Sequence, residues 1–224
     1  MNTSMFDTLL QLPLFQGLAK EDFTTIVGKA KFHFTQLRPG EVIVREGTPC
    51  EQLYFILKGE ISTTTTSADS LYSFTEYFQA PCLIEPQSLF GIKTNYVSRH
   101  VAHTNVNMIS IGKPFITNEL FKYEIFRLNY LNMLSSYGQN MNESLWSAAP
   151  DCLEERIYHF INTHIRRKQG EKLFKIKMED LALIVNDTRT NVSRFLNDLQ
   201  NNGFIELHRG EIFIFDVEEL LALS

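Results

Sequence analysis

The sequence predicts an α+β protein: an N-terminal antiparallel β-roll of jelly-roll-like character, a long central dimerisation helix and a C-terminal winged helix-turn-helix. Three observations carry that expectation. From Lys31 to about Ile111, runs rich in Val, Ile, Phe, Tyr and Thr are cut repeatedly by turn signals, the pattern of short strands in a barrel or sandwich. From about Pro114 to Leu145, apolar residues recur at three- and four-residue steps. From Met178 onward, two short amphipathic helices precede two β-rich runs around an X-Gly pair. The expected domains are residues 1–112 for a sensor roll, 113–146 for the long helix and 147–224 for the winged helix-turn-helix.

Residues Met1–Ala30 read as short helices, punctuated by Pro13 and Gly17. In the roll, Val42–Val44 and Leu53–Leu57 are the clearest strands. Turns are expected at Arg38-Pro39-Gly40, Glu46–Pro49, Lys58-Gly59 and Ala80-Pro81. The polar β-branched run Ser62–Ser67 reads as an exposed hairpin strand.

The central helix places Phe121, Ile125, Leu128, Leu131, Met133 or Leu134, Tyr137 or Met141, and Leu145 at seam spacing, which favours pairing with a second copy. Gly138 weakens it locally. Ser147–Pro150 ends it, and Asp151–Glu154 resembles a capping box that opens the next helix.

The stretch Asn186–Gly203 organises the C-terminal part. Val192, Phe195, Leu196 and Leu199 form one apolar stripe, while Arg189, Thr190, Ser193, Arg194 and Asn197 share a roughly opposite face. Thr188 is placed to cap this helix and Gly203 to end it. The preceding helix, with Met178, Leu181, Ala182 and Val185 at the same spacing, is joined to it only by Asn186-Asp187, so the two must cross steeply. Phe204–His208, Arg209-Gly210 and Glu211–Phe215 read as a wing hairpin, and Asp216 caps a short final helix. Side chains such as Thr188, Arg189, Thr190, Asn191, Ser193, Arg194, Asn197 and the wing-tip Arg209 are suited to base edges and phosphates, with no acid among them.

Composition narrows the class. Apolar residues make up 44% and charged residues 21%, as in ordinary globular proteins. The formal net charge of −5 excludes attraction to nucleic acid by bulk charge, so any positive surface must be local. One candidate is Arg166-Arg167-Lys168 with Lys172, Lys175 and Lys177; a solvated helix end explains that cluster equally well. Cys50, Cys82 and Cys152 have neither metal-ligand spacing nor a disulfide framework. No secretory signal and no membrane-length apolar run is seen, so a cytoplasmic location is expected.

This order of elements resembles the Crp/Fnr family of bacterial transcription regulators. Pro39–Gly47 continuing to Leu53–Gly59 is similar to the glycine-punctuated roll of cyclic-nucleotide-binding domains, with Gly40, Gly47 and Gly59 at its turns. Leu181–Leu196 is similar to the family's helix-turn-helix, and Leu153–Ile157 to the start of its DNA-binding domain. The resemblance implies double-stranded DNA with a palindromic operator, a second copy of the chain, and RNA polymerase as partners. It also implies an effector pocket near Glu85, Tyr96, Ser98 and Arg99. There the family's ribose acid is offset to Glu85 before Pro86, and its phosphate arginine falls at Tyr96, with Arg99 displaced. Cyclic-nucleotide binding is therefore expected to be lost, leaving another small effector or none; no cofactor is assigned. The N-terminal cysteine cluster of the iron–sulfur branch is absent. In the recognition helix both family arginines stand, as Arg189 and Arg194, but Thr190 replaces the intervening acid, so a different half-site is expected.

Two alternatives compete. One is an effector-binding or interaction module whose helix-turn-helix no longer reads DNA, motivated by the missing acid and the negative charge. The other is a cupin-like metal enzyme using His33, His100 and His103. His100 and His103 are three apart on a strand and diverge, and His159 and His164 align poorly on a helix, so no enzyme is expected.

Overall fold

The computed structural model describes residues 5–29, 32–146 and 150–222. The expected helix break at Ser147–Ala149 lies outside them, as do Met1–Ser4, Ala30 and Lys31. Among the described residues, no helix is long and apolar enough to cross a membrane. The chain divides into two compact units.

The first unit comprises Met1–Ser62 and Phe78–Leu145. It opens with α1 (Met5–Gln11) and α2 (Lys20–Lys29), separated by a 3-10 turn at Pro13–Phe15. The strands β1 (His33–Leu37), β2 (Val42–Val44), β3 (Gln52–Lys58) and β4 (Glu60–Thr66) follow; β4 runs into the second unit. After β5 (Tyr72–Gln79) the chain returns through β6 (Cys82–Ile84), a 3-10 turn at Pro86–Ser88, β7 (Arg99–Ala102) and β8 (Val106–Gly112). One antiparallel sheet has the order β1-β8-β3-β6, and β2 pairs with β7. Alternation along β3 and β8 sends Leu53 and Phe55, with their cross-strand partners Ile111 and Ile109, into a core shared with Leu9, Leu12 and Phe15. The expected turn glycines take positive φ, at +87° for Gly40, +76° for Gly47 and +95° for Gly59.

Two expectations in the roll need correction. The run Ser62–Ser67 is a hairpin strand but is not exposed: Thr63 is buried, and the Thr64 and Thr75 hydroxyls meet across the hairpin at 2.8 Å. The pattern from Pro114 is not one helix. It forms α3 (Lys113–Asn118), a 3-10 turn at Leu120–Lys122 and α4 (Glu124–Leu145). Ile116, Leu120 and Phe126 all reach zero exposure in the roll's core. On one straight helix Phe126 would stand roughly a third of a turn away from the other two. The break at Tyr123, whose backbone is extended (φ −84°, ψ 113°), lets all three face inward.

The second unit comprises Thr63–Tyr77 and Trp146–Ser224. It contains α5 (Leu153–His164), β9 (Lys172–Ile176), α6 (Met178–Ile184), α7 (Arg189–Asn201), β10 (Ile205–His208), β11 (Glu211–Ile214) and α8 (Val217–Leu221). The wing hairpin pairs as expected, with Gly210 at φ +76° in its turn. The strand β9 was not anticipated; its inward residues are Lys172, Phe174 and Ile176. Nor was its partner. The hairpin residues of β5 add a fourth strand, giving the order β10-β11-β9-β5, with Tyr72 opposite Ile176 and Glu76 opposite Lys172. Phe174 packs there against Phe74 and Phe160, with ring centroids 5.1 and 5.2 Å away. The capping box is displaced by one residue: Cys152 is the N-cap of α5, its sulfur accepting the Glu155 N–H at 3.5 Å, while the Glu155 carboxylate accepts the Asp151 N–H at 3.1 Å. Asp216 caps α8 as expected, accepting the Glu218 N–H at 2.7 Å.

Candidate nucleic-acid interface

The pair α6 and α7 is held by its apolar sides. Leu181, Ala182 and Val185 from α6 and its C-cap are buried with Val192, Leu196 and Leu199 of α7, and Phe195 stacks edge-on against Tyr158 at 5.7 Å. Between the helices, Asn186 takes φ +52°, a left-handed angle that Asn tolerates better than most residues. The next residue locks the turn. Asp187 Oδ1 accepts the Thr188 N–H at 2.7 Å and the Asn191 side-chain amide at 2.8 Å, while Oδ2 accepts Arg156 Nη2 from α5 at 2.9 Å. These partners hold the Asp187 carboxyl below its ordinary range, led by Asn191. Thr188 caps α7 by accepting the Asn191 N–H at 3.2 Å. Lys177, capping α6, contributes no side-chain bond.

This packing leaves the other face of α7 to solvent. Thr188, Arg189, Thr190, Asn191, Arg194 and Asn197 are exposed, Ser193 is half-buried, and Arg209 is exposed at the wing tip. Besides the Thr188 and Asn191 contacts of the turn, the face carries two further intramolecular contacts. The Asn197 amide donates to the Ser193 carbonyl at 2.7 Å, and the Arg189 guanidinium lies 3.8 Å from the Glu179 carboxylate, both side chains well exposed. The residues are thus ordered but not sequestered.

The expected basic cluster is only partly a cluster. Lys172 is 1% exposed, and its ammonium donates to the carbonyls of Gln169 at 2.7 Å and Gly170 at 3.0 Å. It sits across from Glu76, whose Oε1 accepts the N–H groups of Arg166 and Arg167 at 3.0 and 3.2 Å. Burial lowers the Lys172 pKa and raises that of Glu76, against the attraction between them. Lys175 pairs with Glu211 at 2.8 Å. Lys172 is therefore withdrawn from any phosphate, because its place in β9 points it under the sheet; sequence spacing did not reveal that strand.

In the first unit, the four residues expected around an effector pocket separate. Glu85, Tyr96 and Ser98 are buried, whereas Arg99 is exposed, its neighbours Ser98 and His100 pointing the other way along the strand. The Tyr96 hydroxyl donates to the Gln52 carbonyl at 2.8 Å, and burial pushes its pKa far above the ordinary phenol value. The Glu85 carboxylate accepts hydrogen bonds from the backbone N–H groups of Val97 and Ser98, both at 2.8 Å, from Ser88 Oγ at 2.9 Å and from His100 Nε2 at 3.0 Å. Ser88 and His100 were missed as site residues. The sequence offers His100 only as a metal ligand, and its even spacing from Ser98 is too weak a signal to single it out. His103 faces Glu60 at 3.8 Å instead, so the two histidines diverge.

The same architecture is found in known proteins. Residues 34–123 match the model of the cyclic nucleotide-binding domain, and residues 155–223 that of the Crp-like helix-turn-helix domain. The chain is 23% identical over 202 residues to the global nitrogen regulator of Synechococcus elongatus, covering 84% of this chain and 88% of that protein. It is 20% identical to a CRP-like cAMP-activated global transcriptional regulator of Mycobacterium tuberculosis, covering 96% and 98%. Among solved structures, the catabolite activator protein of Thermus thermophilus shares the fold at a TM-score of 0.51 and 17% identity, covering 94% of this chain and 97% of that one. The structure of a transcriptional regulator from Eubacterium rectale has the same TM-score of 0.51 at 20% identity, again over 94% and 97%.

Proposed function

The chain belongs to the Crp/Fnr family of bacterial transcription regulators, and from that premise we propose that it works as a homodimer whose α7 helices read the two halves of a palindromic operator, with a roll that no longer takes a cyclic nucleotide. It is a regulator and not an enzyme.

The observation that carries the DNA-reading role is the orientation of α7. Val192, Leu196 and Leu199 face the core, which leaves Arg189, Thr190, Arg194 and Asn197 outward on a helix that its Thr188 cap and the Asp187 turn hold rigid. Arginine is suited to bidentate contact with guanine in the major groove, each such pair contributing roughly 1–3 kcal/mol of discrimination. Thr190 supplies a hydroxyl and a methyl where an acid would select cytosine, which favours a different half-site. The wing-tip Arg209 is placed for a phosphate. Release of Arg189 from Glu179 accompanies binding.

Dimerisation through α4 is supported by the apolar side chains it leaves in solvent: Ile125, Leu128, Leu131, Tyr137 and Met141 are each 40–55% exposed. Leu131, Leu134, Gly138 and Met141 follow a seven-residue repeat, and a side chain added at Gly138 meets nothing within 4 Å, so packing within one chain does not require this glycine. A close helix–helix approach does. Two half-sites about one helical turn, roughly 34 Å, apart then follow from two-fold symmetry. Loss of cyclic-nucleotide binding is supported by the exposed Arg99, by Tyr96 at the place of the phosphate arginine, and by the inward turn of Glu85 onto the backbone N–H groups of Val97 and Ser98.

Selection from random DNA followed by gel shift tests the reading. The expected result is one enriched palindrome, with Arg189→Ala and Arg194→Ala each weakening it by about tenfold or more. Unselective binding at low salt, unaffected by either substitution, would instead establish a helix-turn-helix that no longer reads sequence.

A further inference from the structure

The roll contains a fully buried carboxylate that neither the DNA-reading face nor the pairing helix uses. Glu85 stands at the centre of a nest of donors: the successive backbone N–H groups of Val97 and Ser98, the Ser88 hydroxyl and the His100 imidazole, all within 2.8–3.0 Å. Consecutive N–H groups reinforced by side-chain donors are the general device by which proteins hold anions. Here the anion is part of the chain. Glu85 reaches the nest from φ +36°, ψ 58°, a left-handed conformation that a non-glycine residue keeps only when its surroundings hold it there. The next residue is anchored elsewhere. The Pro86 carbonyl accepts the Tyr130 hydroxyl at 2.5 Å, and Tyr130 is a buried residue of α4 whose ring packs edge-on against Phe90 and Phe121 at 5.8 and 5.7 Å. One dipeptide, Glu85-Pro86, thus ties the nest at the entry to β7 to the helix that carries the exposed apolar seam.

We propose that Glu85 is a built-in occupant of an anion site: a covalently attached carboxylate that fills the nest and holds α4 ready to pair, so that dimerisation and operator binding need no soluble anionic effector. The inference deepens the reading that the roll has lost cyclic-nucleotide binding, and rests on it for the operator-binding arm only. It has a direct chemical consequence. Glu85→Ala removes a CH2–COO− fragment, the size of acetate, and leaves the donors in place. The emptied nest then takes a small carboxylate from solution, and an effector-independent regulator becomes a carboxylate-dependent one.

The experiment compares wild type, Glu85→Ala and Glu85→Gln in sodium acetate and in sodium chloride at equal ionic strength, following thermal unfolding, dimerisation by sedimentation, and affinity for the selected operator. Glu85→Ala is expected to lose at least about tenfold in dimer and operator affinity in chloride and to recover most of it, saturably, in acetate. Wild type is indifferent to acetate. Glu85→Gln, which keeps the volume but turns an NH2 toward the N–H groups, is weakened and is not rescued. A folded Glu85→Ala that matches wild type, or that is weakened and ignores acetate, overturns the proposal, as does acetate rescue of Glu85→Gln. Should Glu85→Ala fail to fold in chloride, a Glu85→Gln protein with wild-type dimerisation overturns it. Calorimetry with cyclic AMP on wild type separates the two readings: binding there defeats the lost-nucleotide reading, while the acetate response still decides the role of Glu85.

Discussion

Replacing Leu131 with aspartate is expected to convert the protein to monomers. Leu131 lies on α4 with 52% of its surface exposed. Burying a whole leucine is worth about 1.5–3 kcal/mol, so covering the exposed half contributes about 1 kcal/mol per chain. In a two-fold interface the same residue is covered twice, which brings the contribution to about 2 kcal/mol. Leu131→Ala is therefore expected to weaken the dimer about thirtyfold. Leu131→Asp adds two carboxylates facing each other across the axis, each desolvated without a partner at roughly 2 kcal/mol or more. The total reaches about 6 kcal/mol, or about four orders of magnitude in the dimer dissociation constant. Sedimentation equilibrium measures it, and gel shift should show operator binding falling in parallel, since a monomer engages one half-site. Leu183→Asp is the control: Leu183 is 75% exposed but belongs to α6, and its dimer should match wild type. A Leu131→Asp protein that dimerises within tenfold of wild type would refute the assignment of α4 as the pairing helix.

Two further outcomes follow from the buried groups and the turns. Burial raises the Glu76 carboxyl above its ordinary value of 4.5, so the folded state holds this proton more tightly than the unfolded chain. The associated stability is present below pH 4.5 and is lost as pH rises through the folded value, so urea unfolding of wild type relative to Glu76→Gln should show a declining difference from about pH 4.5 upward; a rising difference contradicts the burial argument. Gly59→Ala should destabilise by several kcal/mol, about 3 or more, because the added Cβ collides with the Asn105 carbonyl at a positive φ, whereas Gly40→Ala, with nothing within 4 Å, costs only the backbone strain of about 1–2 kcal/mol. Equal thermal shifts for the two would remove the distinction.

Much of the candidate DNA-reading surface was legible in the sequence because short-range rules determine it. The stripe Val192–Leu199, the Thr188 and Asp216 caps and the glycine turns each depend on residues within one or two turns of chain. The helical periodicity from about Pro114 to Leu145 was also visible. Its division into a short helix, a 3-10 turn and α4 was not, because only the shape of the roll's core requires Phe126 to face the same way as Leu120.

The remainder depends on contacts between residues far apart in sequence. A lysine at 172 in a basic stretch looks like a phosphate ligand. It becomes a buried cation because β5, about a hundred positions earlier, pairs with β9 and covers it. A glutamate followed by proline looks like a displaced ribose ligand. It becomes the occupant of its own donor nest because the segment entering β7 brings Val97 and Ser98 to it, and β7 brings His100. Periodicity reveals which face of an element is apolar, and so the sequence by itself determined most of the elements, the family and the outward side chains of α7. Which strand covers which, and therefore which charges leave water, is a matter of register between distant segments, and only the tertiary structure decided it.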